Sequence, residues 1–158
     1  MIFRSEAQKK DQAQSWKRGD KAFFASGACH ILAYVFLQEY ADQEYRPYMI
    51  LPNAGFRGSH VYAATEDTVF DYHGFSVKAH FLEHYFRKMK RFFPGWSATI
   101  FEVRDFMTPA FLREFNCRAS NQYLGDPLPR AKAFIQRKCH NHPHKLYPLS
   151  EPRLSSRN

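Results

Sequence analysis

The chain has 158 residues, of which 44% are hydrophobic and 17% aromatic, and it carries a formal net charge of +8. This length and apolar content predict one folded domain and exclude a disordered chain. The three cysteines include no C-x-x-C pair and make no disulfide framework, and no apolar run approaches the roughly 20 residues that span a membrane. Because a signal-peptide core is also missing, we expect a cytoplasmic protein, or one delivered without a cleaved signal peptide.

The positive charge is not spread evenly along the chain. Residues 22–77 contain two arginines against six acidic residues, so the positive excess lies outside this segment. A basic surface attracts acidic proteins, anionic membranes or nucleic acids, although most basic surfaces are merely solvated. We therefore keep an acidic protein partner as an alternative, rank nucleic-acid binding last, and expect no transmembrane segment.

The N-terminal part of the chain predicts a polar arm, a short lead-in segment and then a helix with a cysteine in its first turn. Residues 1–20 are polar and predict a frayed helix or an arm anchored by Trp16. Lys21–Phe24 predicts a short segment that packs its two phenylalanines beneath the next helix. Ser26–Gly27 then stands directly before apolar residues at helical spacing, which predicts a helix of roughly a dozen residues with Cys29 in its first turn.

Cys29 is a candidate nucleophile because of this position. The unpaired N–H groups and the dipole at a helix N-terminus favour a thiolate, and small residues before the helix leave room for a substrate. A buried structural cysteine is the alternative. The neighbouring His30 points roughly 100° away around the helix, so we expect it to be a surface or packing residue and not the base.

The segment 58–74 predicts a β-hairpin, since β-branched and aromatic residues flank a polar tip. A turn at Thr65–Glu66 would place His60 directly opposite Asp71, whose carboxylate could then hold the imidazole. A turn one residue later would place His60 opposite His73, with Asp71 on the diagonal. In both registers a histidine and a carboxylate share one face of the hairpin, and His73 stays an alternative for either role.

A helix that begins with cysteine, followed by a strand that opens with histidine and a strand that carries aspartate, resembles the papain-like cysteine peptidase superfamily. Within it the chain is most similar to the transglutaminase-like and NlpC/P60-like branches. The resemblance covers about residues 22–75. It implies that Cys29 is the nucleophile, that His60 activates it, and that Asp71 orients the imidazole.

The resemblance also implies an α+β fold with a papain-like core, in which the helix that carries the cysteine packs on a small antiparallel sheet. We expect a single domain over residues 1–150. Its core would comprise residues 22–104, followed by a helical C-terminal extension over residues 105–146. Residues 147–158, rich in proline and serine, predict a disordered tail.

The remaining elements follow from local patterns. Tyr45–Leu51 predicts a strand with a short buried run. Ser76–Phe92 predicts a helix with one apolar and one basic face, and the loose alternation of Ser97–Arg104 predicts a strand buried on both faces. Thr108–Pro109 and Asp126–Pro127 each combine a capping side chain with a proline that fits the first helical turn, so each predicts a helix start.

A rival cluster of chemical groups lies near the C-terminus. It consists of four potential zinc ligands: Cys139, His140, His142 and His144. Their spacing matches no closed tetrahedral site, so we predict an incidental cluster, and no metal or cofactor. His80 and His84 stand one helical turn apart, a spacing that binds metal in some helices but not in most.

The leading hypothesis is a papain-like thiol enzyme, either a cysteine peptidase or amidase or a transglutaminase-like acyltransferase. It would act on an amide, ester or isopeptide bond of a peptide or protein, with Cys29, His60 and Asp71 as its triad. No glutamine stands shortly before the cysteine, so the oxyanion donor stays open between Ser26, the Cys29 N–H and Gln14. The alternatives are an inactive papain-like module that docks an acidic partner, and a small basic nucleic-acid-binding protein.

Overall fold

The computed structural model describes residues 3–140 and has a mixed α+β fold, as predicted. Seven α-helices and five β-strands occur in the described chain. The helices are α1 (Glu6–Lys10), α2 (Gln12–Trp16), α3 (Asp20–Ala25), α4 (Cys29–Glu39), α5 (Lys78–Phe92), α6 (Pro109–Glu114) and α7 (Pro127–Cys139). The strands are β1 (Arg46–Pro52), β2 (His60–Ala64), β3 (Thr68–Asp71), β4 (Gly74–Val77) and β5 (Ala98–Glu102). None of the described helices has the length and apolar composition that a membrane span needs.

The five strands form one antiparallel sheet in the order β4-β3-β2-β1-β5, with helices on both faces. Successive side chains of a strand point to opposite faces of the sheet. On one face Met49 and Val61 pack with residues of α4, and on the other Ile50 and Tyr62 pack with residues of α5. The central strands are therefore covered twice, and every side chain of β2 is buried.

The register of the β2–β3 hairpin decides between the two sequence predictions. Ala63 pairs with Phe70, and the N–H of Thr65 donates to the carbonyl oxygen of Thr68 at 2.9 Å. The turn is thus centred on Glu66–Asp67, so the register with the later turn is correct and the one with a turn at Thr65–Glu66 is wrong. The carboxylate of β3 is accordingly the diagonal, not the direct, neighbour of the histidine that opens β2.

Helix α4 occupies the centre of the largest apolar core. Its Ile31 and Phe36 are fully buried and pack with Phe24 of α3 and Phe134 of α7. The ring of Phe36 stacks on that of Phe70 in β3, with 4.0 Å between ring centroids. The predicted packing of the lead-in segment beneath this helix is confirmed. Because α4 is held on several sides, its first turn has a defined position relative to the sheet.

The predicted helix Ser76–Phe92 is correct over most of its length but begins two residues later, at Lys78. The residues before it form β4, an edge strand in which Val77 pairs with Thr68. A short run of this kind carries no local signal that separates strand from helix start, and pairing with β3 decides the matter. The predicted apolar face is confirmed, since Phe81 and two further residues of that face are buried.

The prediction that Ser97–Arg104 is a strand buried on both faces is wrong about its burial. The strand is β5, and within the described chain it pairs with β1 alone and forms an edge of the sheet. Thr99 and Glu102 are exposed, while Ile100 and Phe101 are half-buried. The loose alternation of its sequence reflects an edge position and not double burial.

Both predicted helix starts in the C-terminal part are confirmed. The side chain of Thr108 accepts a hydrogen bond from the N–H of Phe111 at 3.4 Å at the start of α6, and Asp126 accepts one from Leu128 at 2.9 Å at the start of α7. A proline follows each capping residue at the first helical position. The predicted tail, residues 147–158, lies outside the described residues.

Candidate active site

Cys29 is the first residue of α4, and its side chain is half-buried. No side chain caps this helix, whose N-cap residue is Ala28, so no side chain covers the first N–H groups beside the sulfur. Gly27 has φ +119°, a conformation that favours glycine, and its carbonyl oxygen accepts a hydrogen bond from the hydroxyl of Tyr123 at 2.6 Å. A Cβ atom at Gly27 would lie 3.2 Å from Cζ of Arg4. Glycine therefore lets the chain turn tightly into α4 beneath the guanidinium.

His60 and Asp71 form a buried hydrogen-bonded pair beside this thiol. The Nε2 atom of His60 lies 3.2 Å from Oδ2 of Asp71, and both side chains are almost fully excluded from solvent. His73 adds to the same carboxylate: its backbone N–H donates to Oδ1 at 2.8 Å and its ring Nδ1 lies 3.2 Å from that atom. Since Nε2 of His60 is engaged by the carboxylate, Nδ1 is the ring nitrogen that remains for the hydrogen bond with Cys29.

The ionisation of the pair follows from these contacts. Burial alone would lower the pKa of His60, but hydrogen bonds with Asp71 and Cys29 raise it to about 9. Burial would likewise raise the pKa of Asp71, but hydrogen bonds from His60 and His73 hold it at about 2. At neutral pH the site therefore contains an imidazolium and a carboxylate.

The thiol is shifted towards its ionised form. Burial would raise the pKa of Cys29, yet interactions with His30 and His60, together with the positive charge of the His60 imidazolium, hold it well below its ordinary value. The backbone N–H of Val61 also donates to the sulfur, at 3.5 Å. A thiolate at this position accepts from the N–H of Val61 and lies beside the imidazolium of His60, which are features of an activated cysteine.

His30 is the partner of Cys29 that the sequence did not reveal. It is 1% exposed, so the expectation of a surface position is wrong and the alternative of a packing residue is correct. Its Nε2 atom lies 2.8 Å from the carbonyl oxygen of Arg118, to which it can only donate. Nδ1 is then the nitrogen left for the thiol.

Apolar and hydrogen-bonded neighbours fix the loop that leads into β2. The hydroxyl of Tyr85 donates to the carbonyl oxygen of Gly58 at 2.6 Å, and Nε1 of Trp96 donates to that of Arg57 at 2.8 Å. Gly58 has φ +99°, and a Cβ atom there would collide with Cε of Met89. The positive φ favours glycine, and a larger residue would displace the end of the Met89 side chain, so the glycine helps to position His60 at the start of β2 beside α4.

A cleft of about 640 Å³ opens in front of Cys29. Its walls come from the N-terminal segment, the turn before α4, the loop before β2, and the segment after α6. The charged side chains among its described lining residues are all cationic: Arg4, Lys9, Arg57 and Arg118. Asp71 does not line it, because His60 stands between the carboxylate and the thiol. A substrate in this cleft would meet Cys29, His30 and several positive charges, with His60 buried behind the thiol.

The other proposed site residues are placed as follows. His73 binds the carboxylate of Asp71 and lines a different groove. Gln14 is exposed on α2 and is not among the described residues that line the cleft. Ser26 does line the cleft. Gln14 is therefore discarded as an oxyanion donor, while the serine and the Cys29 N–H remain.

The predicted incidental histidine clusters provide no metal centre in the described part of the chain. Among residues 3–140, no group of three or more His, Cys, Asp or Glu side chains could hold a metal ion. Cys139 is buried at the end of α7 and His140 is exposed. Two members of that cluster, His142 and His144, lie outside the described residues.

Sequence reasoning missed the cationic side of the cleft as well as His30. Arg4 and Arg118 are far apart in the chain and carry no local motif that links them to Cys29. The one available signal was the positive excess outside residues 22–77, which indicated a basic surface but not its location. Their assembly depends on the packing of the N-terminal segment against the segment after α6.

The contacts of Cys29, His60 and Asp71 are the strongest chemical feature of the described chain. They combine a thiol of low pKa, an imidazole of raised pKa and an open cleft, and such features together are typical of active sites. Comparison of the chain with protein-family models, with curated proteins and with solved structures finds no match.

Proposed function

We propose that this protein is a thiol enzyme whose nucleophile is Cys29. One observation carries the proposal: the sulfur of Cys29 accepts from the N–H of Val61 beside His60, Cys29 and His60 shift each other's pKa, and Nε2 of His60 lies 3.2 Å from the buried carboxylate of Asp71. A structural cysteine needs no such partners, and burying an ionised pair beside it costs free energy that a purely structural site would avoid. The three groups occur in the order of a nucleophile, an acid–base group and an orienting group.

The arrangement supports a papain-like assignment. In the proposed correspondence, α4 supplies the thiol at its first residue, β2 supplies the imidazole at its first residue, and β3 supplies the carboxylate. β2 and β3 are neighbours within the antiparallel sheet, and α4 packs on one of its faces. The likeness rests on this order and on the contacts between the three side chains.

The proposed reaction begins with the thiolate of Cys29, which attacks the carbonyl carbon of an amide, ester or isopeptide bond. A carbon–sulfur bond forms, and the electron pair of the C=O double bond moves to oxygen. When the intermediate collapses, the carbon–nitrogen or carbon–oxygen bond breaks and the imidazolium of His60 protonates the leaving group. The thioester is then released by water in hydrolysis or by an amine in acyl transfer, with His60 as the base.

The oxyanion would lie near the start of α4. The N–H of Cys29 and the dipole of α4 favour negative charge there, and no side chain caps the helix. Ser26 lines the cleft within the same turn and is the second candidate donor. Asp71 would hold Nε2 of His60 in its protonated form throughout, so that Nδ1 performs the proton transfers.

The first test is the rate at which iodoacetamide alkylates Cys29 between pH 4 and 9. The other two thiols have pKa values raised by burial, to about 12 for Cys117 and about 11 for Cys139, so they react slowly below pH 8. We expect the wild type to keep a high rate below pH 7. In His60→Gln, which retains a donor for Asp71 but no imidazolium, the rate at pH 6 should fall about 10²-fold, since an ordinary thiol is mostly protonated there.

His84→Gln is the matched control, because His84 is exposed on α5 and lines a different groove. Its rate should equal that of the wild type. A wild-type profile with an ordinary thiol pKa of about 8.5, unaffected by His60→Gln, would identify Cys29 as structural. The protein would then be better described as a binding module that uses its basic cleft.

A further inference from the structure

Apart from the Cys29 thiolate, the charged side chains among the described residues that line the cleft are all cationic. Four cationic side chains line its volume of about 640 Å³, and no aspartate or glutamate is among its described lining residues. Of these four side chains, Arg4 and Arg118 have the positions that the contacts establish best. Both belong to the wall formed by the N-terminal segment and the segment after α6.

The guanidinium of Arg118 is held in place by neutral groups. Its Nη1 donates to Oε1 of Gln12 and its Nη2 donates to the carbonyl oxygen of Lys9, each at 3.0 Å. Its own carbonyl oxygen accepts the hydrogen bond from His30. These contacts orient the side chain and link it to the residue beside the thiol, but none of them neutralises the positive charge.

The guanidinium of Arg4 lies over the turn that leads into α4. It is so close to Gly27 that a Cβ atom there would meet Cζ, Nη1 and Nε of the arginine. Arg4 is half-buried, and burial together with the charge of Arg118 lowers its pKa. Two like charges near each other in a partly buried wall repel, and a bound anion would remove this cost.

His60 thus separates the carboxylate of Asp71 from the positive charges of the cleft. Behind the imidazole the carboxylate of Asp71 balances its charge, whereas on the substrate side Arg4 and Arg118 face the cleft next to Cys29. A substrate that is neutral around its scissile bond would leave the two guanidinium groups with no carboxylate among the described residues that line the cleft, since the thiolate of Cys29 is already matched by the imidazolium of His60. Guanidinium groups bind carboxylates with paired hydrogen bonds.

We propose that the substrate of Cys29 carries a carboxylate close to the bond that is attacked, and that Arg4 and Arg118 bind this carboxylate. An acidic side chain next to the scissile carbonyl of a peptide has this chemistry. The proposal rests on the proposed function, because it names the substrate class of that same thiol. It assigns the basic cleft to substrate recognition and not to a separate partner.

The test compares two alkylating reagents of similar size, iodoacetate and iodoacetamide, at pH 7 and low salt. Each transfers its CH₂ carbon to the thiolate of Cys29, with a new carbon–sulfur bond and release of iodide. The first reagent carries a carboxylate and the second a neutral amide. We expect the rate ratio of iodoacetate to iodoacetamide to be about tenfold higher in the wild type than in Arg4→Gln, as close opposite charges enhance association. Salt of about 1 M should remove most of this preference.

Arg4→Gln is the primary variant because the bonds of Arg118 to Gln12 and Lys9 also hold α1 and α2 in place. Arg4→Lys, which restores the charge, should recover most of the preference. Arg104→Gln is the matched control, since Arg104 is exposed and lines another groove. Its rate ratio should equal that of the wild type.

The two proposals fail in different ways in this experiment. If iodoacetamide reacts rapidly below pH 7 but the rate ratio is the same in the wild type and Arg4→Gln, the thiol is activated and the anionic substrate is excluded. If iodoacetamide shows the profile of an ordinary thiol, the proposed function itself fails, and with it the substrate class. An equal loss of preference in Arg104→Gln would also overturn the proposal, since it would reflect net charge and not the cleft.

Discussion

The two histidines that flank Cys29 differ in what stands behind them. His60, at the start of β2, has its Nε2 atom 3.2 Å from a carboxylate oxygen of Asp71. His30, in the first turn of α4, has its Nε2 atom 2.8 Å from the carbonyl oxygen of Arg118. Both rings are buried and both are hydrogen-bonded to the thiol. One is supported by a full negative charge and the other by a neutral dipole.

This difference assigns the two rings different parts in the proposed mechanism. A carboxylate stabilises an imidazolium far more than a carbonyl oxygen does, and it overcomes the burial that would otherwise lower the pKa of His60. His60 can therefore hold the proton that the leaving group needs. The carbonyl oxygen of Arg118 fixes the orientation of His30, which makes His30 a positioning residue for the sulfur.

The largest effect on this comparison should come from Asp71→Asn, which removes the charge behind His60. We expect the alkylation rate of Cys29 by iodoacetamide at pH 6 to fall about 10²-fold, because the imidazolium that stabilises the thiolate loses its counter-charge. The measurement is the pH profile of the rate, which should move towards that of an ordinary thiol.

Asp67→Asn is the control for this variant, since Asp67 is exposed at the tip of the β2–β3 hairpin. It should leave the profile unchanged. An unaltered profile in Asp71→Asn would show that His60 needs no carboxylate, and the two histidines would then be equivalent in their support of the thiol.

A smaller effect should come from His30→Gln. The amide nitrogen of glutamine can still donate to the carbonyl oxygen of Arg118, but the ring nitrogen beside Cys29 is lost. We expect the alkylation rate at pH 6 to fall less than tenfold and the free energy of unfolding to decrease by about 1 kcal/mol. The pH profile and urea unfolding measure the two effects separately.

A loss of rate as large as that of His60→Gln would contradict this assignment and make His30 the main partner of the thiol. A change in unfolding free energy without any change in the pH profile would reduce His30 to a packing residue. His84→Gln again provides the exposed control.

A separate effect, confined to acid pH, should be on the pH dependence of stability. The pKa of Asp71 is lowered to about 2 in the folded state, so its contribution is present above its unfolded pKa of about 3.9 and is lost as the pH falls towards 2. We expect the unfolding free energy of the wild type to fall between pH 5 and 2.5 by about 2 kcal/mol more than that of Asp71→Asn. Urea titrations at both pH values measure the difference.

The raised pKa of His60 predicts a loss of unfolding free energy at high pH. Its pKa is raised to about 9, so its contribution is fully present below its unfolded pKa of about 6.5 and is lost as the pH rises through 9. Cys29→Ser, which removes the ionisation of the thiol, is the reference on this side. For the acid side, an equal fall in unfolding free energy between pH 5 and 2.5 in the wild type and in Asp71→Asn would mean that the lowered pKa of Asp71 makes no net contribution to stability.

The sequence was sufficient for the elements that local signals specify. Cys29 begins α4 because small residues precede an apolar run at helical spacing, and α6 and α7 begin at Thr108 and Asp126 because each has a capping side chain followed by proline. His60 opens β2 after a glycine-containing loop. Each of these positions depends on interactions within a few residues of the chain.

Local signals were insufficient to predict which strands pair and in which register. β4 is a short edge strand whose sequence also fits a helix start, and β5 is an edge strand that periodicity predicted to be buried. The hairpin register was open because Thr65–Glu66 and Glu66–Asp67 are both weak turn sequences. Strand order and register depend on contacts between distant segments, which periodicity does not contain.

The sequence by itself determined that a cysteine starts a helix and that a histidine and an aspartate share a hairpin face. Only the tertiary structure decided that His60 and Asp71 meet diagonally, that His30 turns towards the thiol and not towards solvent, and that Arg4 and Arg118 form one wall of the cleft. Helix starts and strand faces arise from local backbone geometry. The charges around Cys29 come together only when segments more than 80 residues apart pack against each other, as in the bond between His30 and Arg118.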